Sequence, residues 1–392
     1  MNLQQMTRRR NLLPLRFPLR ETPHATIETN RTCNIRCRHC YNLDKELVKS
    51  LDTVKREIDA TLAKRNVQSL TLLGGEPTLH PDLAAIVATV KSRGRKCQLL
   101  TNGVVFLKET GDRLLDQIIA AGVDKIVLHV DSGQRHVHGD LERARRILFG
   151  KMEARKVTFS LALTIDPDSA GEIPNLVKRY ARYRYFDGIL SLVARDGLRR
   201  DGPRPTLENE YVRLRQELRL EPVSYVPSNL GEDRVRWLIY FYMINAATGK
   251  AYGLSSELCG LFGWIYRKIR RRRFFLLRTN PAWSRWLAPL LGLADVSLRP
   301  WQAGALFSLG RSSAAFRAIR FQSIIIQNPA EYDERLGRYE ICYHCPDATL
   351  RNGRLTPVCI ADLVSPANGD SGGIHQDLAR EVHGHLGENA FT

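Results

Sequence analysis

Between Ala25 and Val193 the chain carries six short apolar runs, the first five each followed by a polar turn and a longer stretch with apolar residues at helical spacing. The runs Ala25–Thr32, Ser69–Leu73, Cys97–Leu100, Lys125–Val130, Val157–Ile165 and Gly188–Val193 predict strands. Leu51, Val54, Ile58 and Leu62 share one helical face, and Ser50 stands at its N-cap. Leu83, Ile86, Val87 and Val90 (closed by Gly94) predict a second helix, and Leu114, Leu115, Ile118 and Ile119 (closed by Gly122) a third. Leu141–Phe149 and Ile173–Tyr183 complete the series. Strands alternating with helices predict an α/β fold of parallel strands joined by crossover helices. Six units suit a partial (βα)6 barrel better than a closed eightfold one. Functional groups of such a sheet sit at strand C-terminal ends, where Glu76, Asn102, Asp131 and Asp166 fall.

The eight cysteines are not spread evenly. Cys33, Cys37 and Cys40 form C-x3-C-x2-C. Cys342, Cys345 and Cys359 form C-x2-C-x13-C. Cys97 and Cys259 stand alone and read as small core residues. The sequence has no signal-peptide core and no apolar run long enough to span a bilayer, which predicts a cytoplasmic protein. In a reducing compartment, clustered thiols hold metal or perform catalysis rather than pair as disulfides. Three close thiolates can hold three irons of a cubane and leave the fourth open. A zinc site that drafts His39 is the alternative on spacing alone.

The surroundings of the first triplet separate these readings. Cys33-Asn-Ile-Arg-Cys-Arg-His-Cys-Tyr-Asn42 follows a strand, and about 35 residues on another strand ends in Gly74-Gly75-Glu76-Pro77. This pair of motifs resembles the radical S-adenosylmethionine (SAM) superfamily. The resemblance implies a partial barrel of the TIM type. It implies that Cys33, Cys37 and Cys40 hold a [4Fe–4S] cluster whose open iron chelates SAM. It also implies that Gly74, Gly75 and Glu76 meet the methionine amino group. His39 stands where the family has an aromatic residue beside the adenine. His129, Asp131 and Ser132 would reach the SAM ribose, and Asn102 belongs to the same rim. The bland reading of Asn102, in Thr-Asn-Gly, is a turn.

In the C-terminal triplet, Asn352-Gly353 between alternating arms predicts a β-hairpin that returns Cys359 beside Cys342 and Cys345. The spacing resembles that of the auxiliary cluster in the molybdenum-cofactor GTP cyclases, which implies a second [4Fe–4S] cluster. The chain lacks that family's Gly-Gly tail and carries a long extra region before the cluster. A zinc knuckle with His344 is the alternative.

Between the triplets, all five Trp lie from Trp237 to Trp301, and residues 258–294 hold eight basic residues and no acidic one. With a formal charge of +18, this composition attracts anionic partners. Aromatic and basic residues at helical spacing suit the surface of an anionic membrane. RNA, or simply a solvated basic face, is the competing reading, with nucleic acid placed last. The expected layout is a basic arm (1–22), a radical SAM core (23–200), a mainly helical Trp/Arg-rich insert (201–335), an auxiliary-cluster segment (336–366) and a disordered tail (367–392). The expected activity is reductive cleavage of SAM and hydrogen abstraction from an unactivated C–H bond, with a reductase or flavodoxin-type electron donor. A lipid or membrane-associated substrate is favoured, a peptide or nucleotide second. A zinc-binding, RNA-associated protein without catalysis is the reading from another class.

Overall fold

The computed structural model describes residues 12–37, 39–42, 45, 47–194, 205–271 and 319–364. Arg8–Arg10, the basic aromatic run beyond Arg271 and the tail 367–392 lie outside the described residues.

Every expected strand of the first half forms: β1 (His24–Asn30), β2 (Ser69–Gly74), β3 (Lys96–Thr101), β4 (Lys125–His129), β5 (Thr158–Ile165) and β6 (Phe186–Val193). They pair in chain order, all parallel. The crossovers are α1 (Leu51–Lys64), α2 (Leu83–Ser92), α3 (Thr110–Ala120), α4 (Leu141–Ala154) and α5 (Ile173–Tyr180). Helix α1 starts where Ser50 Oγ accepts the Thr53 amide at 3.2 Å, a cap whose loss costs about 1 kcal/mol. It buries Val54 and Ile58 completely, and Leu51 and Leu62 pack beside them. Each buried aliphatic side chain contributes about 1.5–3 kcal/mol of transfer free energy, so the helices are held mainly by this face.

The sheet does not stop at β6. After α6 (Leu207–Glu217) come β7 (Ser224–Ser228), β8 (Gly231–Asn245), β9 (Ala251–Gly253), α7 (Ser256–Arg270) and β10 (Ile319–Gln327). Strand β10 lies parallel to β6, β8 runs antiparallel to β10, and β7 antiparallel to β8. With the two-residue strand Leu13–Pro14 they make one mixed sheet of 11 strands among the described residues, parallel through its barrel part.

Residues 201–204 and 272–318 of the expected mainly helical insert lie outside the described residues, and its described residues hold more strand than helix. The reason lies in β8, an almost unbroken apolar run from Val235 to Ile244. Leu238, Tyr240, Tyr242 and Ile244 join the main core, while Trp237, Ile239, Phe241 and Met243 join a second cluster with Cys342 and Cys345. A strand buried on both faces loses its alternation and cannot be told from a buried helix by period.

The described part of the basic arm is also not a free arm. Leu12 is buried, Leu13–Pro14 pairs with β7, and Leu15 and Phe17 pack on the second cluster. Among the described residues no helix is long and apolar enough to cross a membrane.

The expected C-terminal hairpin forms from β11 (Ala348–Arg351) and β12 (Arg354–Pro357). Asn352 and Gly353 both take positive φ, 47° and 75°, the conformation that a two-residue turn matching strand twist demands.

Candidate active site

The C-terminal ends of the strands converge on a cavity of about 230 Å³, and all six clustered cysteines line it. Cys33, Cys37 and Cys40 come from the loop after β1. Cys342, Cys345 and Cys359 flank the hairpin on the opposite side in sequence. The lone cysteines behave as expected: Cys97 is fully buried under the sheet, and Cys259 packs at the edge of the second cluster, away from the cavity.

The two glycines of the Gly-Gly-Glu-Pro turn are required by backbone contact. A Cβ on Gly74 would sit 1.9 Å from Asn30 O, and one on Gly75 2.1 Å from Arg31 O. Gly74 also has φ +149°, a region other residues rarely adopt. Their bareness lets Gly75 N reach Asn30 O at 2.8 Å and Glu76 N reach Thr32 O at 2.8 Å. The end of β2 thus clamps the backbone immediately before Cys33.

Glu76 ties a third strand in. Its carboxylate accepts from Thr78 N (3.0 Å), Thr78 Oγ1 (2.6 Å), Thr101 Oγ1 (2.6 Å) and Asn102 N (2.7 Å). Burial raises its pKa, against the pull of these hydrogen bonds. Four donors engage this side chain, so it works as a brace between β2 and β3. Asn102 closes its turn and lines the cavity. Its Oδ1 caps Val104 N at 3.0 Å, while its Nδ2 donates to Asn34 Oδ1 at 2.7 Å and approaches Cys33 Sγ at 3.9 Å.

His129 and Asp131 also line the cavity and pair at 2.7 Å. Burial opposes charge on both, but each partner outweighs it. His129 is raised, and Asp131, which also accepts from Thr164 N, is held well below the usual carboxylate range. His39 lies in the cavity wall, 3.7 Å from Asp166. Ser132 does not line the cavity; its hydroxyl turns to Asp166 at 3.3 Å.

Several site residues carry no local sequence signal. Gln134, fully buried, donates Nε2 to Cys37 Sγ at 3.6 Å. Arg65, just past α1, donates to the carbonyls of His24 (3.1 Å), Cys345 (2.8 Å) and His344 (3.4 Å), which fixes the C-terminal knuckle. Arg31 bonds Asn42 Oδ1 at 2.6 Å and Asp362. Asp362 also meets Arg351 at 3.2 Å, and Arg351 meets Glu28 at 2.6 Å. This buried charge network joins the residues around both cysteine triplets. Trp237, Gln327 and Asp347 complete the wall between them.

The cysteines suit iron–sulfur clusters. Burial raises the Cys33 thiol and, with Cys40 nearby, pushes Cys37 up to about 12. Cys345 is raised well above its usual value, first by its hydrogen bond with Cys342 and then by burial. Such an environment favours neutral thiols, so thiolates form there only against a compensating cation. Amide donors on cysteine sulfur, as from Asn102 and Gln134, are the contacts that tune a cluster. Among the described residues no three Cys, His, Asp or Glu side chains gather tightly enough to grip one metal ion. Zinc needs donors at about 2.0–2.3 Å, whereas a cubane spreads its thiolates around a four-iron body. His344 turns Nδ1 to Phe17 O at 2.7 Å and does not line the cavity.

Residues 27–152 match the radical SAM superfamily model. The GTP 3′,8-cyclase of Chlorobaculum tepidum is 31% identical over 132 residues, covering 32% of this chain and 38% of that protein. The PqqA peptide cyclase of Xanthomonas campestris pv. campestris is 28% identical over 160 residues, covering 38% and 42%. The structure of Streptococcus suis SuiB bound to S-adenosylmethionine superposes with a TM-score of 0.39 at 16% identity, covering 54% of this chain and 49% of that one. The chain spans about two-fifths of the length of the curated relatives it matches. The cysteine loop and the glycine clamp both lie within this matched segment, so residues 27–152 carry a radical SAM domain, the domain of enzymes that use a [4Fe–4S] cluster and SAM.

Proposed function

We propose that this chain is a two-cluster radical SAM enzyme that abstracts hydrogen from a C–H bond of a peptide-type substrate held between its two cysteine walls. The observation that carries the reading is the single cavity lined by both triplets. When bound at Cys33, Cys37 and Cys40, the first cluster supplies the electron that splits SAM into methionine and the hydrogen-abstracting deoxyadenosyl radical. Cys342, Cys345 and Cys359 would hold the second. The protein's part is position and exclusion of water. Gly74, Gly75 and Glu76 hold the first cysteine loop on the strand ends. The Asp131 carboxylate, held ionised beside His129, offers an acceptor at the rim where the ribose is expected. Trp237, Leu163 and Leu190 supply apolar wall.

The charge of the chamber supports a peptide over a nucleotide. The chain is +18 overall, yet among its described lining residues the chamber has no Lys or Arg and has Glu76, Asp131 and Asp347. A polyphosphate would be desolvated there without a counter-ion.

The test is iron content and 5′-deoxyadenosine release with dithionite after anaerobic reconstitution. We expect about eight irons in wild type, about four in the Cys342/Cys345/Cys359→Ala variant, and about four, with deoxyadenosine release lost, in the Cys33/Cys37/Cys40→Ala variant. Equal iron in wild type and the C-terminal variant would sink the two-cluster reading.

One observation favours membrane contact as a second reading. Helix α7 exposes Leu261, Trp264, Ile265 and Ile269 on one side, with Trp264 59% and Ile269 73% exposed, beside Arg267, Lys268 and Arg271. Such a face suits an anionic bilayer surface. Flotation with phosphatidylserine vesicles should be lost in Trp264→Ser/Ile269→Ser; unchanged flotation, or none in wild type, would reject it.

A further inference from the structure

Behind the cysteine chamber, inside the curve of β1–β6 and β10, lies a second cavity of about 80 Å³. The two share Leu73, Leu100, Leu190, Trp237, Gln327 and Asp347 as lining residues. We infer that this inner cavity is a substrate subsite for an alkylammonium group, with Asp347 as its counter-charge. The inference rests on the proposed function for the chamber and specifies which end of the substrate enters first.

Three observations carry it. The first is the state of Asp347. Its side chain keeps about a third of its surface, 32%, open, and both cavities touch it. One oxygen accepts from Gln327 Nε2 at 3.1 Å and the other lies 3.7 Å from His24. Among the described residues it makes no close ion pair with Lys or Arg, although Arg65 acts on it through space. His24 does not replace one, because burial, and then Arg65, pushes its pKa down to about 3. The carboxylate therefore faces the cavity beside a neutral ring.

The second observation is a pair of orphaned hydroxyls. Thr26 Oγ1 and Ser160 Oγ line the same cavity, belong to residues only 1% and 2% exposed, and have no hydrogen-bond partner among the described residues. Buried hydroxyls without partners cost about 1–3 kcal/mol each. Hydroxyls can accept, and an ammonium carries three N–H donors and no acceptor. One carboxylate and two hydroxyls match that requirement.

The third observation is the fate of the one cation in the wall. Lys125 is already paired with Asp187, so the one cation in the described lining is not available to the charge of Asp347. An anionic group would meet that charge with no free cation to offset it. The volume sets the length. It equals between two and three shares of liquid water at about 30 Å³ each, room for an ammonium and a short alkyl stem. Water alone, bridging the hydroxyls, is the rival occupant.

The test uses the reconstituted protein with SAM and n-propylammonium as probe, read by saturation-transfer NMR. Propionate, inorganic phosphate and 1-propanol serve as comparisons. We expect transfer to propylammonium above all three, and its affinity reduced about tenfold or more in Asp347→Asn, the scale of one charge-assisted hydrogen bond. The Thr26→Val/Ser160→Ala variant should lose about threefold or more, and it decides the matter if Asp347→Asn does not fold. Equal transfer to 1-propanol, stronger transfer to phosphate or propionate, or propylammonium binding untouched in the folded variants would each overturn the inference. Deoxyadenosine release, measured on the same samples, reports separately on the radical SAM reading.

Discussion

Cys33, Cys37 and Cys40 follow β1, the end strand of the sheet, and their loop is held by main-chain contact: two glycines let the end of β2 lie directly on Asn30–Thr32. Cys342, Cys345 and Cys359 are held by side chains reaching across the fold, with Arg65 gripping the knuckle carbonyls and Arg351 and Asp362 anchoring the hairpin. Main-chain clamps fail abruptly, since backbone cannot swing aside. Side-chain anchors fail in proportion to the hydrogen bonds removed. The first wall is thus specified by residue absence (no Cβ at 74 and 75), and the second by residue presence.

The largest expected effect breaks the first wall. Gly75→Ala places a methyl 2.1 Å from Arg31 O and 2.3 Å from Thr32 O. Overpacking against backbone costs about 1–3 kcal/mol or more. We expect loss of about four irons and of deoxyadenosine release, with the C-terminal cluster retained; intact iron at both sites would show that the clamp can relax. A smaller effect tests the second wall. Arg65→Met keeps volume but strips the carbonyls of His24, Cys345 and His344 of a donor, at about 1–3 kcal/mol. Thermal unfolding should shift down and only the C-terminal iron should become chelator-labile. Equal lability at both clusters would contradict the asymmetry.

The same contrast explains what the sequence made legible. Strand and helix positions through Val193 follow from apolar spacing, because each parallel strand and its crossover helix are local in the chain. The Asn352-Gly353 turn was visible for the same reason, whereas the motif placed Gly74 and Gly75 at the methionine and did not reveal their contact with Asn30–Thr32. The identity of β8 was hidden by burial on both faces. Ser132 falls in the expected stretch yet bonds Asp166 instead of lining the cavity. Arg65, Gln134 and Asp347 had no local mark. Arg65 meets Cys345 across 280 residues and Gln134 meets Cys37 across 97. Only the assembled fold brings such pairs together.

One of those long-range contacts has a consequence in time. Arg31 is 1% exposed and finds its carboxylate at Asp362, 331 residues later. At about 5–20 residues per second, roughly 15–65 s of synthesis separates the two. The radical SAM half can assemble its strands in that interval, but the guanidinium beside its first cysteine stays without this counter-ion until the hairpin docks. Breaking such a buried pair costs about 3–5 kcal/mol. The nascent chain therefore keeps its reactive cysteine loop unfinished until the second wall exists, so a truncated product would carry the barrel without a properly closed chamber.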